Sequence, residues 1–334
     1  MNFSTPVIIT KPEQAYGYHT SFFFSGSCFA MAIEEKMRKS GFQVSSNPSG
    51  IVYNPISLFD SLTRVIEQKP YTLEELVFHN SLYHSMMHHG SMSGADANKM
   101  LEEINLSQYM AFQHLQKTNL LVLTLGTAYV FRYIPTNKIV VNCHKIPAAN
   151  FLRYRLQIPE IILAWQSFNK ALTIINPNIK ILLTVSPVRH LKDGANGNQL
   201  SKSVLLLAVD EIISENPHTK YFPSYEIFMD ELRDYRFYAP DMVHPSEQAV
   251  EYIWELFQNS HFDNESLAGI AEIGKINRLL AHRTLHPETD QNPEKYQNAL
   301  KRLNELQRNY PTMQTQSIKA ELSRRINQMQ NDTN

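Results

Sequence analysis

Short apolar runs of strand character alternate with longer amphipathic segments along most of this chain, and that alternation points to βα units wound around a parallel sheet. Phe22-Phe23-Phe24 is the first run. It is followed by Cys28–Lys39, where Phe29, Ala32, Ile33 and Met37 recur on one helical face until Gly41 ends the helix. Phe42–Val44 reads as the next strand, and after a turn-rich stretch a helix is expected over Ser57–Gln68. Pro70–Gly94 is irregular, and Ala95–Gln116 is a polar helix. Asn119–Gly126 has the core LLVLTL, the pattern of a strand buried on both faces. Ala128–Asn142 reads as an antiparallel hairpin around Pro135-Thr136-Asn137. Ile158–Ile175, Gln199–Ser214 and Ser246–Gln258 are further helices, with Ser246 as a possible N-cap. Lys180–Val185 and Tyr221-Phe222 supply the remaining strands.

A chain of 334 residues, 43% hydrophobic, is large enough for a sizeable core plus an appendage. From Asn264 onward aromatics thin out, polar residues dominate, and Pro287, Pro293 and Pro311 separate helical stretches. Two domains are expected, 1–262 carrying the sheet and 263–334 forming a helical extension. The spacing of Ile273, Ile276, Leu279 and Leu280 gives that extension an apolar side to bury. Charge is balanced, 31 Lys+Arg against 32 Asp+Glu, so no overall field favours nucleic acid. The first residues lack the basic start and apolar run of a secretory signal, and no stretch reaches the ~18 apolar residues of a membrane span. The expectation is a cytoplasmic protein without membrane insertion, its two cysteines, Cys28 and Cys143, too few for a disulfide framework.

Gly26-Ser27-Cys28 stands where the first strand meets the first helix, a place where a side chain projects above a sheet and helix N–H groups converge. A serine there can attack an acyl carbon, or simply cap the helix. Asp241-Met242-Val243-His244-Pro245 supplies the complement. An Asp three residues before a His can fix its tautomer, and the imidazole can take and return the proton of Ser27. Cys28 is an alternative nucleophile, expected to turn inward as the residue after the attacking one. Cys28, Cys143, His144 and His244 lack the close spacing of a zinc site, and His84 and His88 would share a face only if 79–89 were helical. No metal and no cofactor is expected, and nucleotide-binding glycine motifs are absent. Arg189 and His190 follow a strand at the edge where open α/β sheets bind ligands.

Gly26-Ser27-Cys28-Phe29-Ala30 spells the signature of the GSCFA family, which this chain resembles and which looks like a branch of the SGNH/GDSL hydrolases. Asn47–Pro55 (NPSGIVYNP), Leu125–Thr127 (LGT), Asn142–Lys145 (NCHK), Ser186–Gly194 (SPVRHLKDG), Tyr221–Glu226 (YFPSYE) and Leu232–Pro245 (LRDYRFYAPDMVHP) carry the resemblance to about residue 260. It implies a flavodoxin-like three-layer α/β/α sandwich and ester hydrolysis, on a small-molecule or glycan-type ester such as an O-acetyl group. Two departures stand out. Ser25-Gly26-Ser27 replaces Gly-Asp-Ser, and Gly126-Thr127-Ala128-Tyr129 replaces Gly-x-Asn-Asp, so the usual oxyanion-hole asparagine is missing. The N–H groups of Ser27 and Gly50 are the expected donors, with Thr127, Asn54 or Asn142 as the third. An acyltransferase using the same triad and an idle ligand-binding module are the competing functions; oligomeric state is unspecified.

Overall fold

The structure is a computed structural model that describes residues 5–282 and 293–331. Pro287 lies outside the described residues. β1 (Ser21–Gly26) leads into α1 (Cys28–Lys39) and β2 (Gln43–Ser46). α2 (Pro55–Ile66) begins at Asn54, whose Oδ1 accepts the Ser57 N–H at 2.8 Å, with Pro55 pre-set in the first turn. A hairpin, β3 (Leu76–His79) and β4 (Leu82–Ser85), precedes α3 (Ala97–Leu115) and β5 (Leu120–Leu125). β6 (Tyr129–Tyr133), β7 (Lys138–Val140) and β8 (Phe151–Arg155) form a separate antiparallel sheet in the order β7-β6-β8. α4 (Ile158–Ile175), β9 (Lys180–Val185), α5 (Gly194–Glu215), β10 (Thr219–Tyr221), the single turn α6 (Ser224–Glu226) and α7 (Glu247–His261) follow. α8 (Asn264–Ala281), α9 (Glu294–Asn309) and α10 (Gln316–Asn331) close the described chain.

The central sheet has five strands in the order β10-β9-β5-β1-β2, with β1–β5, β5–β9 and β9–β10 paired parallel. Counting only these strands along the chain, that is the doubly wound order 2-1-3-4-5. All six residues of β5 are buried. Leu121, Leu123 and Leu125 join a core that α2, α3, α4 and α5 complete, and Leu120 and Val122, on the opposite face by the two-residue period, are covered as well. Within that core Phe59 of α2 meets both Trp165 and Phe168 of α4, at 5.6 and 5.4 Å between ring centroids. A sheet covered on both faces leaves its strand ends as the accessible part, and parallel pairing gathers the C-terminal ends of β1, β5 and β9 on one edge.

Two strand pairings go beyond the sequence reading. The stretch 70–94 contains β3 and β4, joined by Asn80-Ser81 at φ 49° and 62°, the two-residue turn with both central residues left-handed that matches strand twist. β8 pairs with β6, Tyr129 opposite Arg155 through Tyr133 opposite Phe151.

The chain separates into two compact units. The first is built from Phe22–Glu34 and Ser45–Leu256 with the segment ending at Thr10; the second gathers Lys11–Ser21, Glu35–Val44 and Phe257–Asn334. In the second unit Tyr18 stacks on Phe42 at 4.5 Å, and Phe42 on Phe262 at 4.7 Å. Its helices bury Ile273, Ile276, Leu303 and Leu322. A linear boundary near residue 262 does not provide for the two early segments this unit draws in.

Candidate active site

β1 ends at Gly26, which has φ 131°, and a Cβ built there would come within 2.2 Å of the Thr124 carbonyl oxygen of β5. Only glycine fits this approach. The pairing with β5 ends at Gly26 opposite Thr124, and the Ser27 N–H completes it by donating to Thr124 O at 3.1 Å. Ser27 is therefore held in the sheet; it has 0% exposure, and its Oγ has no hydrogen-bond partner. Cys28 opens α1 and is half-buried. Cys28, expected to turn inward, is half-buried, while Ser27 beside it is fully buried. Burial raises the Cys28 thiol above its ordinary value; the amides of Phe29 and Cys28 and the charge of Lys202 pull the other way, and Asp241 adds to the rise.

The loop 241–244 closes on itself. Asp241 Oδ1 accepts the N–H groups of Val243 and His244 at 2.9 and 3.0 Å, and Oδ2 bonds His244 Nδ1 at 2.6 Å. Those two amides, then the imidazole, hold the carboxyl at about 2, so it is ionised at any working pH. Both side chains are about half exposed. The Arg189 N–H donates to Val243 O at 3.1 Å, which ties this loop to the segment leaving the C-terminal end of β9. Arg189 spends its side chain on the same loop, donating to Met242 O at 3.4 Å with its guanidinium over the Tyr238 ring.

The expected oxyanion donors are differently employed. The Ser27 N–H is taken by Thr124 O, and the Gly50 N–H by Asn47 O at 2.8 Å. Thr127 Oγ1 is buried against Ser201 Oγ at 3.0 Å, and Asn54 caps α2. Asn142 Oδ1 accepts the His144 N–H at 2.9 Å, in a loop tied to Met86. His84 lies in β4 and His88 follows it, so they share no helix. His84 bonds Ser93 Oγ and His79 O, and His88 bonds Ser85 Oγ.

Two further groups stand at this edge: His190, expected there from its place after a strand, and Lys202, which the residue pattern did not single out. Lys202 of α5 is fully buried, and its Nζ donates to Gly126 O at 2.7 Å and Ser186 O at 2.6 Å, the first carbonyls beyond β5 and β9. Burial lowers its ammonium to about 7, and the Cys28 thiol opposes that shift. His190 stands over Gly126, edge-on to the Tyr53 ring at 5.6 Å. The signal for Lys202 was in the sequence: it shares a stripe with Leu205, Val209 and Ile212, all buried. A cavity of about 660 Å³ lined by Arg64, Glu75, Met86 and Lys138 contains none of these residues.

Residues 21–257 match the GSCFA family. Among solved structures, the chain is similar to an acetyl xylan esterase from the rumen bacterium Butyrivibrio proteoclasticus, at 12% identity and a TM-score of 0.36, covering 74% of this chain and 66% of the esterase. No curated protein matches. Among the described residues no helix is long and apolar enough to cross a membrane, and no group of three His, Cys, Asp or Glu side chains could hold a metal ion.

Proposed function

This chain belongs to the GSCFA family, and we propose that it hydrolyses acyl esters through a covalent acyl-enzyme formed at the β1–α1 turn. The observation that carries this reading is the 2.6 Å bond between Asp241 and His244 Nδ1, on a loop tied to the edge where β1, β5 and β9 end. An ionised Asp there keeps the proton on Nδ1 and leaves Nε2 free to accept one.

Exposure favours Cys28 as the nucleophile over Ser27. With its thiol raised by burial, Cys28 is protonated at neutral pH and needs a base. In the proposed cycle His244 Nε2 takes the thiol proton as sulfur attacks the carbonyl carbon. The oxyanion then faces the N–H groups of Cys28 and Phe29 at the first turn of α1, the two amides that also pull the thiol down. The C–O bond breaks, His244 returns its proton to the departing alkoxide, and a thioester remains. Water then attacks the thioester, its proton passing through His244 to the sulfur, and the acid leaves. The substrate class is an acyl ester, with O-acetylated carbohydrate the member favoured by analogy with SGNH hydrolases.

Ser27 as nucleophile is the second reading, favoured by its partnerless Oγ, because a buried hydroxyl without a hydrogen bond calls for an explanation. Peptide mapping after acid quench with p-nitrophenyl acetate separates the two. An acyl group on Cys28 that neutral hydroxylamine removes is expected; an ester on Ser27 selects the second reading. No adduct and no turnover with simple acyl esters would leave a ligand-binding module.

A further inference from the structure

We propose that His190 is the catalytic hydrogen-bond donor that completes the oxyanion site, supplying from Nδ1–H what asparagine supplies in SGNH relatives. This inference rests on the acyl-transfer reading above. Asparagine is missing from the loop after β5, where Gly126-Thr127-Ala128 carries no free side-chain donor: Thr127 Oγ1 is bonded to Ser201 and Tyr129. The imidazole that stands over this loop belongs to a different segment. A Cβ added at Gly126 would lie 3.4 Å from His190 Nε2 and 2.9 Å from Tyr53 O, so glycine at 126 is what lets the ring sit there. The residue is pinned from behind, its backbone N–H donating to Asn198 Oδ1 at 2.8 Å.

The two ring nitrogens are not equivalent. Nε2 is buried without a hydrogen-bond partner, whereas Nδ1, also without a protein partner among the described residues, is not closed off in the same way. A buried N–H with no acceptor is the costlier defect and the rarer one, while a buried lone pair left unsatisfied is tolerated more often. The proton therefore sits on Nδ1, on the side left accessible. Burial is the main reason the ring stays neutral, lowering it to about 4, and the charges of Lys202, His244 and Arg153 push the same way. Tyr53, whose ring the imidazole meets edge-on, is itself an electrostatic neighbour of Cys28. Lys202 acts on both Cys28 and His190. A neutral donor has a chemical advantage here: it can bond the developing oxyanion without forming a salt bridge with a carboxylate product.

The test uses two reactions of the same thiol. Alkylation of Cys28 by iodoacetamide passes through no tetrahedral oxyanion, whereas acyl transfer from p-nitrophenyl acetate does. In the full-length chain, His190→Phe should leave the alkylation rate within about twofold and slow acyl transfer by roughly 10²–10³-fold, the loss expected on removing one oxyanion donor. His190→Asn, which restores an amide, should recover most of that loss. Equal slowing of both reactions would mean that His190 acts only on thiol ionisation, and unimpaired acyl transfer would mean that it does not touch the oxyanion; either overturns the proposal. A measurement on the unaltered protein needs no variant to fold: nitrogen–proton correlation spectra should report a neutral Nδ1–H ring for His190 at pH 7. A cationic ring or an Nε2–H tautomer would overturn the inference. Unaltered protein that forms no acyl adduct at all would instead overturn the hydrolase reading, and this inference with it.

Discussion

Replacing Lys202 by methionine should make the stability of this protein depend on pH in a way the unaltered chain defines. The substitution keeps the length of the side chain and removes the Nζ donor from Gly126 O and Ser186 O. Two buried carbonyls left unpaired cost about 1–3 kcal/mol each at any pH. Against that stands what the ammonium costs while buried. Its affinity for a proton falls from the ordinary 10.5 to about 7 in the fold. At about 1.4 kcal/mol per tenfold change this is on the order of 5 kcal/mol below pH 7. Between pH 7 and 10.5 the unfolded chain holds a proton at Lys202 that the folded chain has released, so the contribution of this group to stability rises with pH across that window. Methionine has no such dependence. The two effects nearly cancel at pH 7, where Lys202→Met should unfold at close to the urea concentration of the unaltered protein. At pH 9 the difference in favour of lysine should have widened by about 2 kcal/mol, less than two full pH units at about 1.4 kcal/mol each, because Lys202 is already half titrated at pH 7. Paired urea titrations at pH 7 and pH 9 measure it; the difference also carries any change in Cys28 ionisation, which Cys28→Ser in both backgrounds removes. A gap that is the same at both pH values would refute the argument, because it would mean that Lys202 remains protonated in the fold.

His244→Ala should lower esterase activity by about 10³–10⁴-fold, the scale of losing the base of a triad. Its urea midpoint should stay within about 0.5 kcal/mol of the unaltered protein, since the imidazole is half exposed; equal activity would remove His244 from the reaction. Acid should destabilise the first unit before its carboxylates titrate. His88, His144 and His190 are held neutral mainly by burial, to about 3, 4 and 4. The unfolded chain binds protons at these sites from pH 6.5 downward, so stability is lost as pH falls from 6.5 toward 4, and a urea midpoint that did not fall between pH 6.5 and 5 would contradict this. Gly26→Ala should cost more than about 4 kcal/mol, because its Cβ would lie 2.2 Å from a strand carbonyl at a left-handed φ, and soluble, native-like protein from that variant would be the contrary result.

Strands buried on both faces could be read directly, as in the uninterrupted LLVLTL of β5, because every position of such a strand must be apolar. Their spatial order could not, since it depends on which strands meet and not on any one strand's composition. The β3–β4 turn was hidden because Asn80-Ser81 reaches its left-handed pair of residues without glycine, the residue that usually announces one. β8 was hidden because the Arg153 and Arg155 in FLRYR dilute the apolar alternation that its register with β6 nonetheless supports. The second unit could be read only as helices with an apolar side. Periodicity tells that a face is buried and says nothing of what buries it, so the recruitment of Tyr18 and Phe42 was invisible.

The site divides along the same line, between what is local and what is not. Asp241 and His244 could be read together because the pair closes within four residues, and the carboxylate is held by amides of the very loop that contains it. Ser27 and Cys28 could not be told apart, because their exposure turns on where the β1–β5 ladder stops, and Thr124 is almost a hundred positions away. One hydrogen bond, Ser27 N–H to Thr124 O, ties Ser27 to the end of the sheet just before α1 begins at Cys28. In the proposed reading the choice between the two follows strand pairing, and Lys202 binds the carbonyls just beyond the neighbouring strands β5 and β9. The same lysine carries the charge that pulls the Cys28 thiol down and pushes His190 toward neutrality. A buried methionine on the Leu205 and Val209 stripe would fill the space but could do neither, which is the physical reason for a lysine to sit on the apolar face of a helix.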